Sequence, residues 1–256
     1  MTLFSVENLS RHFGGVRAVD GVTFHVEEGE VFTIVGPNGA GKSTIFNLIS
    51  RFYDVTTGTM TMAGHDITAI RPDEVVGHGI ARTFQNIELF DHSTVLANLL
   101  VGRHALRKCG VLQHIAFTPA ARAEERAHRE AVEEVIDFLD LQAYRDKTIA
   151  GLPYGVRKIV EIGRALACKP RLLLLDEPAS GLSVEETQDV AFWIEDMKKD
   201  MGLTILMVEH DMGLVNQVSD RVLAMADGKP VALGTPAEVQ SHPKVIEAYL
   251  GMAEAA

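Results

Sequence analysis

The chain has 256 residues, 46% of them apolar, and a formal charge of −11 from 24 Lys and Arg against 35 Asp and Glu. That length and apolar content suit one large α/β domain or two small ones with a full core. The acidic balance argues against nucleic-acid binding as the main business. No run approaches 18 uninterrupted apolar residues, so nothing reads as a bilayer-spanning helix, and the first residues lack the basic-then-apolar pattern of a secretory signal.

In chain order, the first thirty residues read as antiparallel strands. Val22, Phe24 and Val26 alternate with polar neighbours, and Glu27-Glu28-Gly29-Glu30 reads as a turn. Val31–Val35 is a buried strand, and Ser43–Ile49, beyond a glycine-rich loop, suits a helix. Residues 57–64 read as another short strand between turns. Composition shifts near Gln85, and from about 86 to 163 helices dominate. Thr118-Pro119 starts one of them, with Thr as N-cap and Pro at the first helical position. Val132, Val135, Ile136 and Leu139 form its apolar stripe. Residues 101–117, with Gly102 and Gly110, read as loop. Parallel-sheet character returns after residue 170, where Leu172–Leu175 is a buried strand. Ser183-x-x-Glu186 is a capping box that opens a helix to about Asp200. Gly202 ends that helix, and Thr204–Val208 is the next buried strand. Strands near 221–226 and 230–233 follow, and Thr235-Pro236-Ala237-Glu238 opens a short helix. There is no internal repeat. Cys109 and Cys168, without CxxC spacing, read as free thiols of a reducing cytoplasm, and the ten histidines show no metal-ligand spacing.

Two stretches carry chemistry. Residues 36–43, Gly-Pro-Asn-Gly-Ala-Gly-Lys-Ser, fit the phosphate-binding pattern G-x-x-x-x-G-K-[ST]. The glycines allow a tight loop whose backbone N–H groups converge on a phosphate. Gly36, Asn38, Gly39, Ala40, Gly41, Lys42, Ser43 and Thr44 are therefore the candidate phosphate-binding residues. Lys42 would reach the β- and γ-phosphates, and the Ser43 hydroxyl would bind Mg²⁺. The helix N-terminus adds its own attraction for anions. The second stretch is Leu172-Leu173-Leu174-Leu175-Asp176-Glu177, an apolar strand ending in two acids. Beside a phosphate-binding loop, such an Asp holds Mg²⁺. Glu177 would then polarise a water against the γ-phosphate, a role worth about 10²–10⁴ in rate.

With these motifs in this order, the chain resembles the ATPase subunits of ATP-binding-cassette (ABC) transporters over essentially all of its length. The resemblance implies an α/β P-loop NTPase fold: a mixed-sheet core, an antiparallel β subdomain and a helical subdomain. It implies a single nucleotide-binding domain over 1–256, with residues 1–85 and 164–256 as the ATP-binding core and 86–163 as the helical subdomain carrying the signature motif. It further implies that Phe13 stacks on adenine, that Gln85 contacts Mg²⁺ and the attacking water, and that His210 touches the γ-phosphate. Leu152-Pro153-Tyr154-Gly155-Val156 stands in the place of the signature sequence. Tyr154 and Gly155 would open a helix facing the γ-phosphate of a partner subunit's ATP, in a dimer that sandwiches two ATP molecules. Ser180-Gly181-Leu182-Ser183 matches the D-loop. Three departures stand out: Pro153 replaces the usual signature serine, Val156 and Arg157 stand where glutamine is common, and Ser183 stands where the D-loop usually has aspartate.

The segment Ala81-Arg82-Thr83-Phe84-Gln85-Asn86-Ile87-Glu88-Leu89-Phe90 resembles the Q-loop of ATPases from branched-chain amino acid importers. Asn98-Leu99-Leu100-Val101-Gly102, the long helical insert to Thr148, and the ending Ala248-Tyr249-Leu250-Gly251 agree with this. The longer insert is similar to the larger ATPase type of those systems. The implied partners are two membrane permeases, a second ABC ATPase subunit or a second copy of this chain, and, indirectly, an exported substrate-binding protein. The implied location is the cytoplasmic face of the cell membrane, held through the permeases. The nearest alternative is the ATPase of a lipid or lipopolysaccharide exporter, which shares the Tyr-Leu-Gly ending but generally lacks so long an insert. A soluble ABC ATPase acting on DNA or ribosomes is disfavoured by the single P-loop, the absence of sustained heptads and the acidic charge.

Overall fold

The computed structural model describes residues 1–85 and 87–253, the last four as backbone only. Asn86, where the helical segment is expected to begin, lies outside the described residues, as does the side chain of Leu250 in the Tyr-Leu-Gly ending. The chain divides into two compact units, one of residues 1–82 with 171–256, the other Thr83–Pro170.

The first unit opens with two long strands, β1 (Thr2–Phe13) and β2 (Val16–Glu27), followed by β3 (Val31–Val35), α1 (Lys42–Ile49), β4 (Thr57–Met62), β5 (His65–Asp66) and β6 (Ile80–Arg82). The second unit holds α2 (Val95–Gly102), α3 (Val111–Ile115), α4 (Pro119–Phe138) and α5 (Tyr154–Ala167). The chain then returns to the first unit through β7 (Leu172–Asp176), α6 (Val184–Lys199), β8 (Thr204–Val208), α7 (Met212–Val218), β9 (Arg221–Ala226), β10 (Lys229–Gly234), α8 (Pro236–Gln240) and α9 (Pro243–Ala253).

The first unit contains two sheets. Strands β2-β1-β4-β5 make an antiparallel sheet, and β10-β9-β3-β8-β7-β6 make a mixed one that is parallel except for its β10–β9 edge. β3, β7 and β8 are buried at every position, which is why they read as near-continuous apolar runs: a parallel sheet is covered on both faces. Side chains alternate across β9. Leu223 and Met225 join a core with Phe4, Phe24, Phe32, Phe46 and Leu174. Val222 and Ala224 face Val215, Val239 and Val245 from α7, α8 and α9 on the other side. The Phe24 and Phe32 rings stack 5.2 Å apart and link the two sheets.

The expected capping boxes are present. The Ser183 hydroxyl accepts the Glu186 N–H while the Glu186 carboxylate accepts the Ser183 N–H, and Thr235 and Glu238 repeat the arrangement. Two expectations need correction. Residues 101–117 are not loop throughout. α2 runs through Gly102, and α3 occupies Val111–Ile115. Gly102 serves close packing, since a Cβ there would lie 2.3 Å from the Arg164 carbonyl oxygen of α5. The second unit also extends past both ends of the 86–163 segment, because α5 continues through Gly163 to Ala167 with no change of composition to mark a boundary. Strand β6 and helices α7 and α9 had no distinguishing local signal.

Within the second unit, Leu99, Val132, Ile136, Leu139, Val160 and Leu166 are buried at 2% exposure or less. Gly163 sits where a Cβ would meet Leu99 and Leu139 at 2.9 and 3.0 Å.

Candidate nucleotide-binding site

Strand register builds the site. Val208 at the end of β8 pairs with Ile34 of β3 on one side and Asp176 of β7 on the other. Three parallel strands therefore end at one level. β3 feeds the 36–43 loop, β7 delivers Asp176 and Glu177, and β8 delivers Glu209 and His210. The C-terminal edge of a parallel sheet is where open α/β folds bind ligands.

The 36–43 loop joins β3 to α1 under tight constraint. Gly41, at φ 97°, is the N-cap of α1. A Cβ on it would lie 2.3 Å from the Ala18 carbonyl oxygen, and one on Gly36 (φ 154°) would lie 2.3 Å from that of Met225. Both positions need glycine for the backbone angle and for the space. No side chain caps α1, so the N–H groups of its first turn are left for another acceptor, as in helix-terminal phosphate sites. Asn38, Gly39 and Ser43 are exposed, Thr44 is half-buried and Ala40 is buried. The Lys42 ammonium donates to the Gly36 and Pro37 carbonyls at 2.7 and 3.0 Å. Burial pulls its pKa below the usual lysine value, with Glu177 and Asp176 pulling the other way.

Asp176 is 3% exposed and accepts a hydrogen bond from Arg82 at 2.7 Å. Arg82 also donates to the Asn47 side-chain carbonyl at 2.8 Å and the Ser50 hydroxyl at 3.2 Å. Glu177 follows at φ 49°, its N–H on the Val208 carbonyl at 2.9 Å. A non-glycine residue in this left-handed conformation is strained by roughly 1–2 kcal/mol, a cost that clusters at functional sites. The hard oxygen donors of Ser43 and Asp176 suit Mg²⁺, which is usually held by one or two carboxylates plus substrate phosphates. Such a set has too few protein acids to form a metal cluster by itself, and none is found among the described residues.

Glu209 is a residue the sequence reading passed over. It is fully buried. One carboxylate oxygen accepts the Ala179 N–H at 3.0 Å, and the other accepts those of His210 at 2.6 Å and Asp211 at 3.1 Å. It thus braces the turn after Glu177 to the turn carrying His210, whose side chain is 59% exposed. Arg82 was likewise quoted only as part of a longer motif. The bonds from Arg82 to Asp176 and from Ala179 to Glu209 have no local signal, since each joins segments far apart in the chain.

Phe13 lies at the tip of the β1–β2 hairpin, paired with Val16, and both are exposed. Its ring packs edge-on against Tyr53 at 5.1 Å, with the Arg11 guanidinium over it at 4.5 Å. Ala18 of the same hairpin is the residue that abuts Gly41.

The remaining candidates lie in the second unit. Gln85 is exposed, and the preceding Phe84 N–H is held by the buried Glu161 carboxylate at 3.0 Å. Burial raises the Glu161 pKa. Tyr154 and Gly155 open α5 as expected, with Pro153 as N-cap and no side-chain cap bond. Proline costs the helix nothing there, and the first-turn N–H groups stay available.

A glycine-cradled helix N-terminus, a lysine folded over it and two acids on the adjacent strand define a P-loop nucleotide-binding protein. Residues 19–180 match the family described as ABC transporter, and residues 226–253 match the branched-chain amino acid ATP-binding cassette transporter family. The chain is 38% identical over 251 residues to the high-affinity branched-chain amino acid transport ATP-binding protein BraF of Pseudomonas aeruginosa, covering 98% of both chains. To LivG of Escherichia coli, of the same description, it is 37% identical over 254 residues, again covering 98% of both. Among solved structures it is similar to the ADP conformation of MJ1267, an ATP-binding cassette of an ABC transporter, with a TM-score of 0.86 and 34% identity over 98% of this chain and 99% of that one. A nucleotide-free cassette from an ABC transporter gives 0.85 and 34% over 97% and 99%. The chain belongs to the ATP-binding-cassette family of ABC transporters and is an ATPase of that class.

Proposed function

We propose that this chain powers a membrane importer of branched-chain or related amino acids, as the larger of two ATPase subunits working with two permeases and an exported binding protein. The observation that carries the cargo class is the match of residues 226–253 to the branched-chain family, joined to end-to-end similarity to BraF and LivG. The described residues contain no helix long and apolar enough to cross a membrane, which suits a subunit held peripherally at the cytoplasmic face through permeases.

In this reading, the 36–43 backbone and Lys42 hold the β- and γ-phosphates, and Phe13 carries the adenine. Ser43 and Asp176, with Gln85 as a further candidate, would hold Mg²⁺, which would supply positive charge to the phosphate oxygens. Glu177 takes the proton of the attacking water as the γ-phosphoryl group leaves ADP, and His210 contacts that group. Tyr154 and Gly155 complete the site of the opposing subunit. Phe13 and Val16, both exposed at the hairpin tip, supply an apolar surface for a base. The closing of Glu177 and His210 onto one sheet edge supports their shared role.

The test is capture of the tagged chain from detergent-solubilised membranes of its host, with mass spectrometry of what comes with it. Two permeases plus a second, shorter ABC ATPase are the expected outcome. Lipid-export membrane proteins with two copies of this chain would overturn the cargo and keep the ATPase chemistry. A soluble partner set without membrane proteins would overturn the transporter role.

A further inference from the structure

Helix α3 turns the usual rule of burial inside out. Val111, Leu112 and Ile115 share one face of its short turn and are 75%, 81% and 69% exposed, and Phe117 just beyond is 75% exposed. On its other side only His114 turns toward α4, while Gln113 stays exposed. His114 approaches the Glu124 carboxylate at 3.4 Å, and Gln113 accepts the Gly110 N–H at 3.0 Å. Glu124 of α4 also accepts the Lys108 and Cys109 N–H groups, which fixes the approach to α3. The far end is fixed as well. Phe117 N–H donates to the His114 carbonyl and Thr118 N–H to the Gln113 carbonyl, at 3.1 and 3.2 Å, the double bond of a Schellman cap. Phe117 holds the left-handed position of that cap at φ 47°, where glycine is normal. The chain therefore keeps a strained, exposed phenylalanine at a position that glycine would fill more easily.

Charge is segregated to the same place. Residues 101–130 hold six Lys and Arg against three Glu, a balance of +3, whereas the rest of the chain holds 18 against 32, or −14. Arg103 is used internally, donating to the Ala167 carbonyl and to His128. Arg107, Lys108, Arg122, Arg126 and Arg129 are exposed. Arg122, Arg126 and Arg129 follow one another down α4 and, with Phe117, His114 and Glu125, line a recess of about 660 Å³. Apolar side chains raised beside a cationic stripe match a headgroup layer of anionic phospholipid: the apolar tips enter the interface, and the guanidinium groups meet lipid phosphates.

We propose that α3 and the arginine stripe of α4 form a docking face for anionic phospholipid. Val111, Leu112, Ile115 and Phe117 seat in the headgroup layer, while Arg122, Arg126 and Arg129 hold phosphates. An acidic protein would gain from placing a locally net-positive segment at the surface that meets a negative membrane. The inference rests on the reading of this chain as a membrane-associated transport subunit, and its test is independent of permeases and cargo.

The experiment is flotation of the purified full chain with vesicles of phosphatidylcholine, with and without phosphatidylglycerol, at low and high salt. The expected result is flotation with the anionic vesicles only, weakened by salt. The double variant Leu112→Asp/Ile115→Asp should lose flotation while keeping wild-type ATPase rate and unfolding midpoint. Arg122→Gln and Arg126→Gln should each weaken binding about fivefold. Absence of flotation with anionic vesicles would overturn the proposal, as would flotation unchanged by Leu112→Asp/Ile115→Asp. Vesicle-free self-association abolished by that double variant would overturn it in favour of a second copy. Permease capture lost in the variant, with no vesicle binding by the wild type, would overturn it in favour of a protein partner. The partner-capture and ATPase readouts keep failure here separate from failure of the transporter role.

Discussion

Glu209 follows a strand in which every residue is buried, and it is buried with them. A carboxyl group at zero exposure is tolerated only with hydrogen-bond partners around it, and three backbone N–H groups supply them. Those donors belong to the turns after Glu177 and at His210, the two residues proposed to act on the γ-phosphate. In that proposal Glu209 is a positioning residue that works through the backbone. Glu209→Gln turns part of an acceptor into a donor facing N–H groups. The expected result is a fall in kcat of roughly tenfold or more with the KM for ATP changed little, since only the interaction at the reacting end is lost. The unfolding midpoint should fall by a few degrees at most, as expected for about 1–2 kcal/mol. A kcat loss fully accounted for by unfolded protein would refute the assignment. Arg82 acts similarly on Asp176, and neither residue announces itself in the sequence, because the bonds from Arg82 to Asp176 and from Ala179 to Glu209 join segments far apart in the chain.

At the scale of elements, the fold was legible wherever the signal is local. The buried strands β3, β7 and β8 show as apolar runs, the 36–43 loop as a glycine pattern, and the helices α4, α6 and α8 as caps followed by stripes. It was illegible where the signal is a neighbour. Strand β6 has three residues and exists because Ile80, Ala81 and Arg82 pair with Leu172, Leu173 and Leu174. Gly102 shows the same limit. Its lack of a side chain suggests a loop, yet it ends α2 against α5. The carbonyl of Gly102 accepts from the Cys168 thiol at 3.2 Å, and its Cα faces the Arg164 carbonyl. Gly102→Ala should force these helices apart at a cost of about 1–3 kcal/mol, seen as a drop of roughly 2–10 °C in the unfolding midpoint. Gly110→Ala, where an added Cβ meets nothing within 4 Å, is the control and should move it by less than about 2 °C. Equal effects would mean that the α2–α5 contact is not tight.

At the scale of the whole molecule, the proposed site needs a second subunit, because Tyr154 and Gly155 would serve the nucleotide held by the partner. Glu177→Gln keeps the proposed binding groups and removes the proposed base. With ATP and Mg²⁺ it should run as a dimer on size exclusion, with itself or with the second ATPase, and hydrolyse about 10²–10⁴-fold more slowly than the wild type. Normal turnover in this variant would remove Glu177 from the reaction. The backbone at Glu177 has a further consequence for anyone selecting hardier versions of this protein. A left-handed position favours glycine, then asparagine, so with Glu177 as the proposed base, heat resistance and chemistry would pull against each other at residue 177. A screen that rewards survival of the fold alone will drift toward those residues and collect robust cassettes that no longer burn ATP. Only a screen that also scores turnover will leave the glutamate in place.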